Sequence, residues 1–311
     1  MTPLAITRSR VPAFEGSFAW GPMRLLYPAL LGHLDCSAAS GLVADRETIA
    51  VVADDEHTLF VYDRETLAPL RHTRLFADPL PREPRARKAA KADLEMLTRL
   101  PDGQLLALGS GSTPQRNRGA VVTADDVVTR FDLSPLYAEL SERLPALNLE
   151  GACIVGDALV LLQRGNGAEG INALVTLSLD AALTCLSTGA AWTPALLRGV
   201  HPVALPTLQG VPLGLTDACP HPTRPDAVVF VCAAEGGGST YEDGEYVGSA
   251  VGVLGLDGAL LEPLSRLMDV LKIEGVHAEA GENGALELVL VSDPDDPTVR
   301  APLYSVSAPP G

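Results

Sequence analysis

A chain of 311 residues that is 47% hydrophobic and only 20% charged has enough apolar side chains for one large core. Its formal net charge of −16 repels phosphate backbones and anionic lipid headgroups, so we expect neither nucleic acid nor a membrane as a partner. No run of about 18 apolar residues occurs, and residues 1–16 lack the apolar core of a signal peptide, which predicts a cytoplasmic protein. The composition leaves the oligomeric state open.

Five stretches of the chain share one pattern, in which an oxygen-bearing side chain precedes a short apolar strand, a polar turn and a second, strongly apolar strand. The five anchor residues that begin these stretches are, in chain order, Ser40, Glu95, Glu150, Thr216 and Glu274. They recur about every 60 residues, and further strand-like sequence after each pair gives about four strands per repeat. Repeats of this length and strand number are typical of β-propeller blades.

Five such repeats predict an all-β fold, a five-bladed β-propeller that occupies residues 1–311 as a single domain. Only three strands fit between Glu274 and the C-terminus, so the last blade lacks one strand. Residues 4–11, "LAITRSRV", are predicted to supply it and to close the ring, which removes exposed sheet edges. A six-bladed propeller is the alternative, but it needs residues 16–35 to form a whole blade, and that segment is too short.

The basic stretch "PREPRARKAAK", residues 81–91, stands out in this acidic sequence. It is short and broken by proline, so we interpret it as a solvated connection between strands. A surface that steers phosphate groups is the alternative interpretation.

The anchor residues are expected to form a ring around the central channel, because the innermost strand of each blade begins at one end of it. Three carboxylates that face one another in a narrow channel raise one another's pKa unless a cation lies between them. The donors of this ring are all oxygens, which suit Ca²⁺ better than zinc or magnesium. The alternative is that the anchors only cap strand starts by bonding backbone amides.

Polar residues at the ends of the second strands should converge on the same channel face, because those strands run antiparallel to the innermost ones. We expect a small-molecule ligand there. The candidate contacts are Asp54, Asp55, Arg164, Asn166, Glu235 and Asp293. Turn formation explains the acidic and amide residues equally well. Arg164 is a lone cation among carboxylates, suited either to gripping an oxyanion or to an ion pair with a blade-one aspartate.

Three short motifs resemble those of the soluble calcium-activated nucleotidases, the apyrase family of five-bladed propellers. They are "DLEML" at residues 93–97, "VVADDEHTLFVYD" at residues 51–63 and "KIEGVHAE" at residues 272–279. The resemblance implies that the five anchors hold calcium, that Asp54 and Asp55 lie near the attacking water, and that Arg164 holds phosphate. Asn172 is a partial match to a further substrate contact.

The sequence departs from that family where its members grip the nucleotide. A Lys-Glu-Trp segment is replaced by "GSGST", and paired arginines are replaced by "QRGN". The recurring Glu-Gly also resembles the esterase-like phytase group of propellers. Three hypotheses follow: a calcium-dependent hydrolase of a phosphate ester or anhydride, a hydrolase of a carboxylic ester or lactone with Asp54 or Asp293 as base, and a non-catalytic binding or scaffold propeller.

Overall fold

The computed structural model describes residues 23–165, 170–236 and 245–310. The described chain begins with two short strands, β1 (Arg24–Leu26) and β2 (Ala29–His33). Blade one consists of β3 (Ala39–Ala44), β4 (Thr48–Ala53), β5 (Thr58–Asp63) and β6 (Pro69–Arg74). Blade two consists of β7 (Leu94–Arg99), β8 (Leu105–Gly109), β9 (Arg118–Val122) and β10 (Val128–Asp132).

The next two blades follow the same order of antiparallel strands. Blade three consists of β11 (Leu149–Val155), β12 (Ala158–Gln163), β13 (Ala173–Ser178) and β14 (Leu197–Pro202). Blade four consists of β15 (Thr207–Leu208), β16 (Val211–Pro220), β17 (Ala227–Gly236), β18 (Glu245–Gly255) and β19 (Ser265–Leu267). The two-residue β15 forms a small hairpin with the start of β16, which is the innermost long strand of this blade.

Blade five contains β20 (Ile273–Ala280), β21 (Leu286–Ser292) and β22 (Pro302–Ala308). The innermost strands β3, β7, β11, β16 and β20 contact one another in that order, and β20 contacts β3. The ring is therefore closed, and the five-bladed propeller predicted from the sequence is confirmed. The six-bladed alternative is wrong, because residues 24–33 add single strands to existing blades.

An N-terminal strand closes the ring, but it comes from a different segment than the sequence suggested. The outer position of blade five is occupied by β2, which pairs antiparallel with β22 and aligns Ala29 with Ser305. Strand β1 joins blade four instead, parallel to β19. Residues 4–11 lie outside the described residues. Four of the five β2 residues are exposed, so hydrophobic patterning marked this edge strand only weakly.

The core lies between the blades, because both faces of each sheet are covered by a neighbouring blade. Val52 and Leu59 of blade one pack in one cluster with Leu94, Leu97 and Leu105 of blade two. This arrangement explains why the second strands are nearly continuous apolar runs, such as "AVVFVCAA" in β17. Each fully buried Leu or Val contributes roughly 1.5–3 kcal/mol of burial free energy.

Every innermost strand has a register shift at its anchor residue. In β11 the pairing with β12 shifts between Leu149 and Gly151, so that Glu150 is the bulged residue, and the other four innermost strands shift at their own anchors. A bulge leaves one residue out of the alternation of the strand and redirects its side chain. The anchors are thus set apart from their strands by backbone geometry.

Glycine follows the anchor in blades three and five because the innermost strands approach very closely there. A Cβ at Gly151 would lie 2.7 Å from Cα of Asp217 in blade four. A Cβ at Gly275 would lie 2.4 Å from the carbonyl oxygen of Ser40 in blade one. The neighbouring atoms are backbone and cannot move aside as a side chain could, which gives the recurring Glu-Gly a structural explanation.

In the part of the chain that the structure describes, three α-helices connect the strands: α1 (Pro84–Ala90), α2 (Ser134–Arg143) and α3 (Leu179–Thr188). Helices α2 and α3 bury leucines against the blades, whereas α1 has no buried residue. Helix α1 begins at Glu83, whose side chain accepts hydrogen bonds from two backbone amides of the first turn. Within the described residues, no helix has the length and apolarity needed to cross a membrane.

Candidate metal centre

The five anchors lie at one end of the channel, which we call the channel mouth. Ser40, Glu150, Thr216 and Glu274 are buried there, and Glu95 is partly exposed to the channel. The hydroxyl of Thr216 donates to the carbonyl oxygen of Ile273 at 2.8 Å, and that of Ser40 donates to a carbonyl at 3.4 Å. Both hydroxyl oxygens keep lone pairs that can accept a hydrogen bond or bind a cation.

The carboxylate of Glu95 has no hydrogen-bond donor from any described residue. It faces two other acids, since one carboxylate oxygen each of Asp54, Asp93 and Glu95 lie within 4.8 Å of one another. The ammonium of Lys91 lies among them, 2.8 Å from Asp93 Oδ1 and in contact with Asp54 Oδ2. Burial alone would lower the pKa of Lys91, but Asp54 and Asp93 outweigh it and hold that pKa above its ordinary value.

Asp93 is held rigidly in this group. Its backbone is left-handed, with a φ of 54°, a conformation that aspartate tolerates better than most residues. Its Oδ2 accepts hydrogen bonds from Ser110 Oγ at 2.5 Å and from the Arg116 guanidinium at 2.6 Å. The carboxylate therefore reaches the channel mouth in a fixed orientation.

A second group of charges surrounds Arg164 on the other side of the mouth. The Arg164 guanidinium lies 3.5 Å from Glu150, 3.6 Å from Glu274 and 2.6 Å from Glu235. Its stem passes over Gly214, where a Cβ would lie 2.9 Å from Arg164 Cγ. Arg164 thus pairs with acids of blades three, four and five, and the ion pair with a blade-one aspartate considered from the sequence is not formed.

A third group links blade five to this centre. The Lys272 ammonium lies 3.3 Å from Asp293 and 2.5 Å from Asp295, and it is 3.7 Å from Glu274. The other carboxylate oxygen of Glu274, Oε2, is buried and has no hydrogen-bond partner among the described residues. The cationic side chains of Arg164 and Lys272 therefore lie near the anchor carboxylates, but Oε2 of Glu274 has no partner among the described residues.

The anchor carboxylates are correspondingly hard to ionise. Burial and the carboxylates of Glu150 and Asp93 hold the pKa of Glu95 well above its ordinary value. Burial raises the pKa of Glu150 to about 8, although Arg164 counteracts part of the rise. Burial also raises the pKa of Glu274, with Arg164 and Lys272 opposing it. A further positive charge would favour the ionised forms of all three.

The other residues predicted for the mouth have distinct surroundings. Asp55 has one buried oxygen without a partner, and burial raises its pKa. Asn172 accepts hydrogen bonds from the amides of Gly165 and Leu215 and donates to the carbonyl of Leu213, so it holds backbone segments together. Asn166 lies outside the described residues.

Sequence reasoning missed Lys91, Asp93, Asn148 and Lys272. Three of them occupy one register position, two residues before the anchor of their blade, and Asn148 there donates to Glu150 Oε1. The recurrence of a polar or charged residue two before the anchor in three blades is a signal that the sequence does contain. The sequence placed Lys91 in a solvated connection. Helix α1, which ends just before Lys91, has no buried residue, but the Lys91 ammonium itself is buried at the channel mouth.

The residues present fit a hard divalent cation. All donors that converge on the mouth from the anchors are oxygens, and the carboxylates of Glu95 and Glu274 have oxygens that receive no hydrogen bond within the described part of the chain. Lys91 and Arg164 neutralise only part of the acidic ring. No histidine or cysteine belongs to this group, which argues against zinc.

A protein-family model matches residues 35–307. The chain belongs to DUF6929, a family of unknown function. The match covers all the innermost strands of this DUF6929 protein and stops short of β1 and β2. No curated protein is similar to it in sequence.

Three solved structures are similar to the DUF6929 chain at low sequence identity. Hydrazine synthase of Kuenenia stuttgartiensis is 9% identical, with 94% of this chain and 62% of that one covered and a TM-score of 0.41. A Bacteroides caccae protein of unknown function is 9% identical, with coverages of 80% and 66% and a TM-score of 0.40. The DUF6929 chain thus spans less than two thirds of these two.

Glutaminyl cyclase of Myxococcus xanthus is similar along nearly its whole length. It is 13% identical, with 92% of this chain and 99% of that one covered, at a TM-score of 0.49. Likenesses of this degree carry no argument about activity, which has to come from the site itself.

Proposed function

We propose that this DUF6929 protein is a calcium-binding β-propeller with its site at the channel mouth. The observation that carries the proposal is the Glu95 carboxylate, which faces Asp54 and Asp93 and receives no hydrogen bond from a described residue. A carboxylate in such surroundings is costly unless a cation or a proton satisfies it. The anchors Ser40, Glu95, Glu150, Thr216 and Glu274, with Asp54 and Asp93, are the residues that would hold the ion.

Calcium is the expected ion because of the kind and number of donors. It accepts six to eight oxygen ligands in flexible arrangements, whereas magnesium requires tight octahedral geometry. The mouth offers carboxylates on several separate strands together with the hydroxyls of Ser40 and Thr216, an irregular set that suits the larger ion. The neutral hydroxyls and water would complete the shell without adding charge.

The test is calcium binding by isothermal titration and thermal melting, after chelation with EGTA. We expect one Ca²⁺ per chain and a stabilisation of about 2.7 kcal/mol at a free concentration one hundred times the Kd. Glu95→Gln and Glu274→Gln should lose most of this stabilisation. Glu279→Gln is the matched control, since Glu279 pairs with Arg64 at the opposite end of β20. A wild-type melting temperature that changes neither on addition of calcium nor on addition of EGTA would overturn the proposal.

A hydrolytic activity of this site is the second candidate, and Asp293 favours it. Asp293 is largely buried beside Lys272, and burial, partly offset by that lysine, raises its pKa to about 7. A carboxylate with such a pKa accepts a proton from water near neutral pH. Bound calcium would supply polarisation of a carbonyl or phosphoryl oxygen.

Carboxylic esters and lactones fit this second candidate better than phosphates. Arg164, the arginine expected to hold phosphate, is already surrounded by Glu150, Glu235 and Glu274. We therefore expect calcium-dependent hydrolysis of 4-nitrophenyl acetate or dihydrocoumarin, with none of 4-nitrophenyl phosphate. Asp293→Asn should lower kcat at least about a hundredfold while leaving calcium binding intact. Equal rates with and without calcium would exclude this activity and leave the binding function standing.

A further inference from the structure

A cleft of about 470 Å³ opens between blades one and five, to the side of the channel mouth. Its walls come from the residues before β3, from β5 and β6, and from the loop between β21 and β22. None of the residues that we assign to the calcium site lines it. Its volume falls in the range of small-molecule sites.

One wall of the cleft is a histidine supported by a buried network. The hydroxyl of Tyr62, which is fully buried, donates to Asp35 Oδ1 at 2.5 Å. The other oxygen, Asp35 Oδ2, lies 3.4 Å from His72 Nε2. The His72 ring meets the Phe60 ring edge-on, with centroids 5.0 Å apart. The Asp35 carboxylate is thereby engaged within the wall, and the two rings give that wall an aromatic part.

Two guanidinium groups of the cleft have no carboxylate partner among the described residues. Arg74 is held by the carbonyl oxygens of Phe76, Ala77 and Asp78 at 2.9–3.3 Å. Carbonyl groups fix its orientation without neutralising its charge. Arg300 forms no ion pair with a described residue. Both arginines line the same cleft and keep their positive charges there.

The acids of the same cleft compensate these arginines only in part. Glu56 lies 3.0 Å from the Arg87 guanidinium and is paired with it. Asp35 is hydrogen-bonded by Tyr62 but keeps its negative charge. Two arginines therefore face one acid that has no cationic partner, and the cleft keeps a net positive charge next to its aromatic wall.

We propose that this cleft binds a small organic anion that carries a flat apolar group. The oxyanion would lie against Arg74 and Arg300, because guanidinium forks match the geometry of carboxylates and phosphates. The apolar group would lie against Phe60 and His72. This proposal is independent of the calcium site, since it uses other residues and needs no metal.

The experiment is a calorimetric titration with benzoate and with phenyl phosphate, both in the presence of EDTA. We expect saturable binding of at least one of them, at least about tenfold tighter than that of inorganic phosphate or benzyl alcohol. Preference for benzoate would identify a carboxylate ligand, and preference for phenyl phosphate a phosphate monoester. Absence of saturable binding for both probes would overturn the proposal.

Variants then assign the binding to the cleft. Arg300→Gln changes an exposed loop residue without disturbing the fold and should weaken binding about tenfold or more, as should Arg74→Gln. Arg198→Gln is the matched control, because Arg198 pairs with Asp157 on blade three, far from the cleft. An equal loss in Arg198→Gln, or no loss in Arg300→Gln, would contradict the assignment.

Discussion

Replacing Lys91 with methionine removes the ammonium that lies among Asp54, Asp93 and Glu95 while keeping most of the side-chain volume. In the metal-free protein, the carboxylates of Asp54, Asp93 and Glu95 then lie close together without the ammonium that offsets their negative charge. Breaking a buried ion pair by removing one partner costs about 3–5 kcal/mol. Because the Asp54 side chain is 26% exposed, we expect the lower part of that range.

The same substitution should strengthen calcium binding. The ammonium repels an incoming divalent cation, and two unit charges about 4 Å apart interact by roughly 4 kcal/mol at an effective dielectric constant of about 20. The neighbouring carboxylates screen part of this repulsion. We therefore expect calcium to bind the Lys91→Met protein about ten to a hundred times more tightly, or about 1.4–2.7 kcal/mol.

Urea denaturation with EGTA and with calcium, combined with calorimetric titration, measures both effects. Arg64→Met is the control, because it removes a bidentate pair with Glu279 at the other end of the channel. Its stability should respond to calcium as the wild type does. A Lys91→Met protein that is as stable as the wild type in EGTA, with the same calcium affinity, would refute this account of the site.

Two further predictions concern the fold. Gly151→Ala places a methyl group 2.7 Å from the Asp217 backbone, so urea denaturation should show a loss of about 1–3 kcal/mol, and an unchanged midpoint would mean that the innermost strands can separate. Burial lowers the pKa of His57, whose Nε2 accepts a hydrogen bond from the Ala92 amide nitrogen at 2.9 Å and must stay unprotonated to do so. Stability should therefore be full above about pH 6.5 and fall as the pH drops through the folded-state pKa, by up to about 1.4 kcal/mol per pH unit. His57→Gln should flatten the urea midpoint profile between about pH 7 and 5, and an equally steep profile in the variant would contradict the assignment.

The sequence predicted the propeller well because blades repeat. Each innermost strand is followed by a strongly apolar second strand that is buried on both faces, and this pattern is visible without any knowledge of contacts. The anchor residues followed from that repeat. The bulges that set them apart did not, because a register shift depends on how two backbones pair and leaves no fixed composition.

The charges of the candidate site were less accessible to sequence reasoning. Lys91 meets Asp54 and Asp93 only because α1 lies beside the mouth, whereas the basic segment 81–91 was interpreted from the sequence as a solvated connection. Arg164 was recognised, but its three acidic partners come from different blades. Such pairs are set by the closure of the ring, and no local pattern encodes them.

The closing segment is the least predictable part for a physical reason. Residues 4–11 and Ala29–His33 are both short segments that can serve as edge strands. An edge strand with exposed side chains is selected by the backbone edge that it completes rather than by its own hydrophobic pattern. The choice between the two segments therefore required the structure.

Because β2 pairs with β22, the ring of blades cannot be closed by β2 until β22 has been synthesised. Arg24 donates to the carbonyl oxygen of Pro309, which is 285 residues away along the chain. Strands β1 and β2 leave the ribosome before the five blades, yet they stay without their partners until β19 and β22 have been made. During that interval, β2 is an unpaired strand whose free backbone groups can pair with other nascent chains. Chaperone dependence during synthesis should therefore fall when β2 is moved behind β22 by circular permutation.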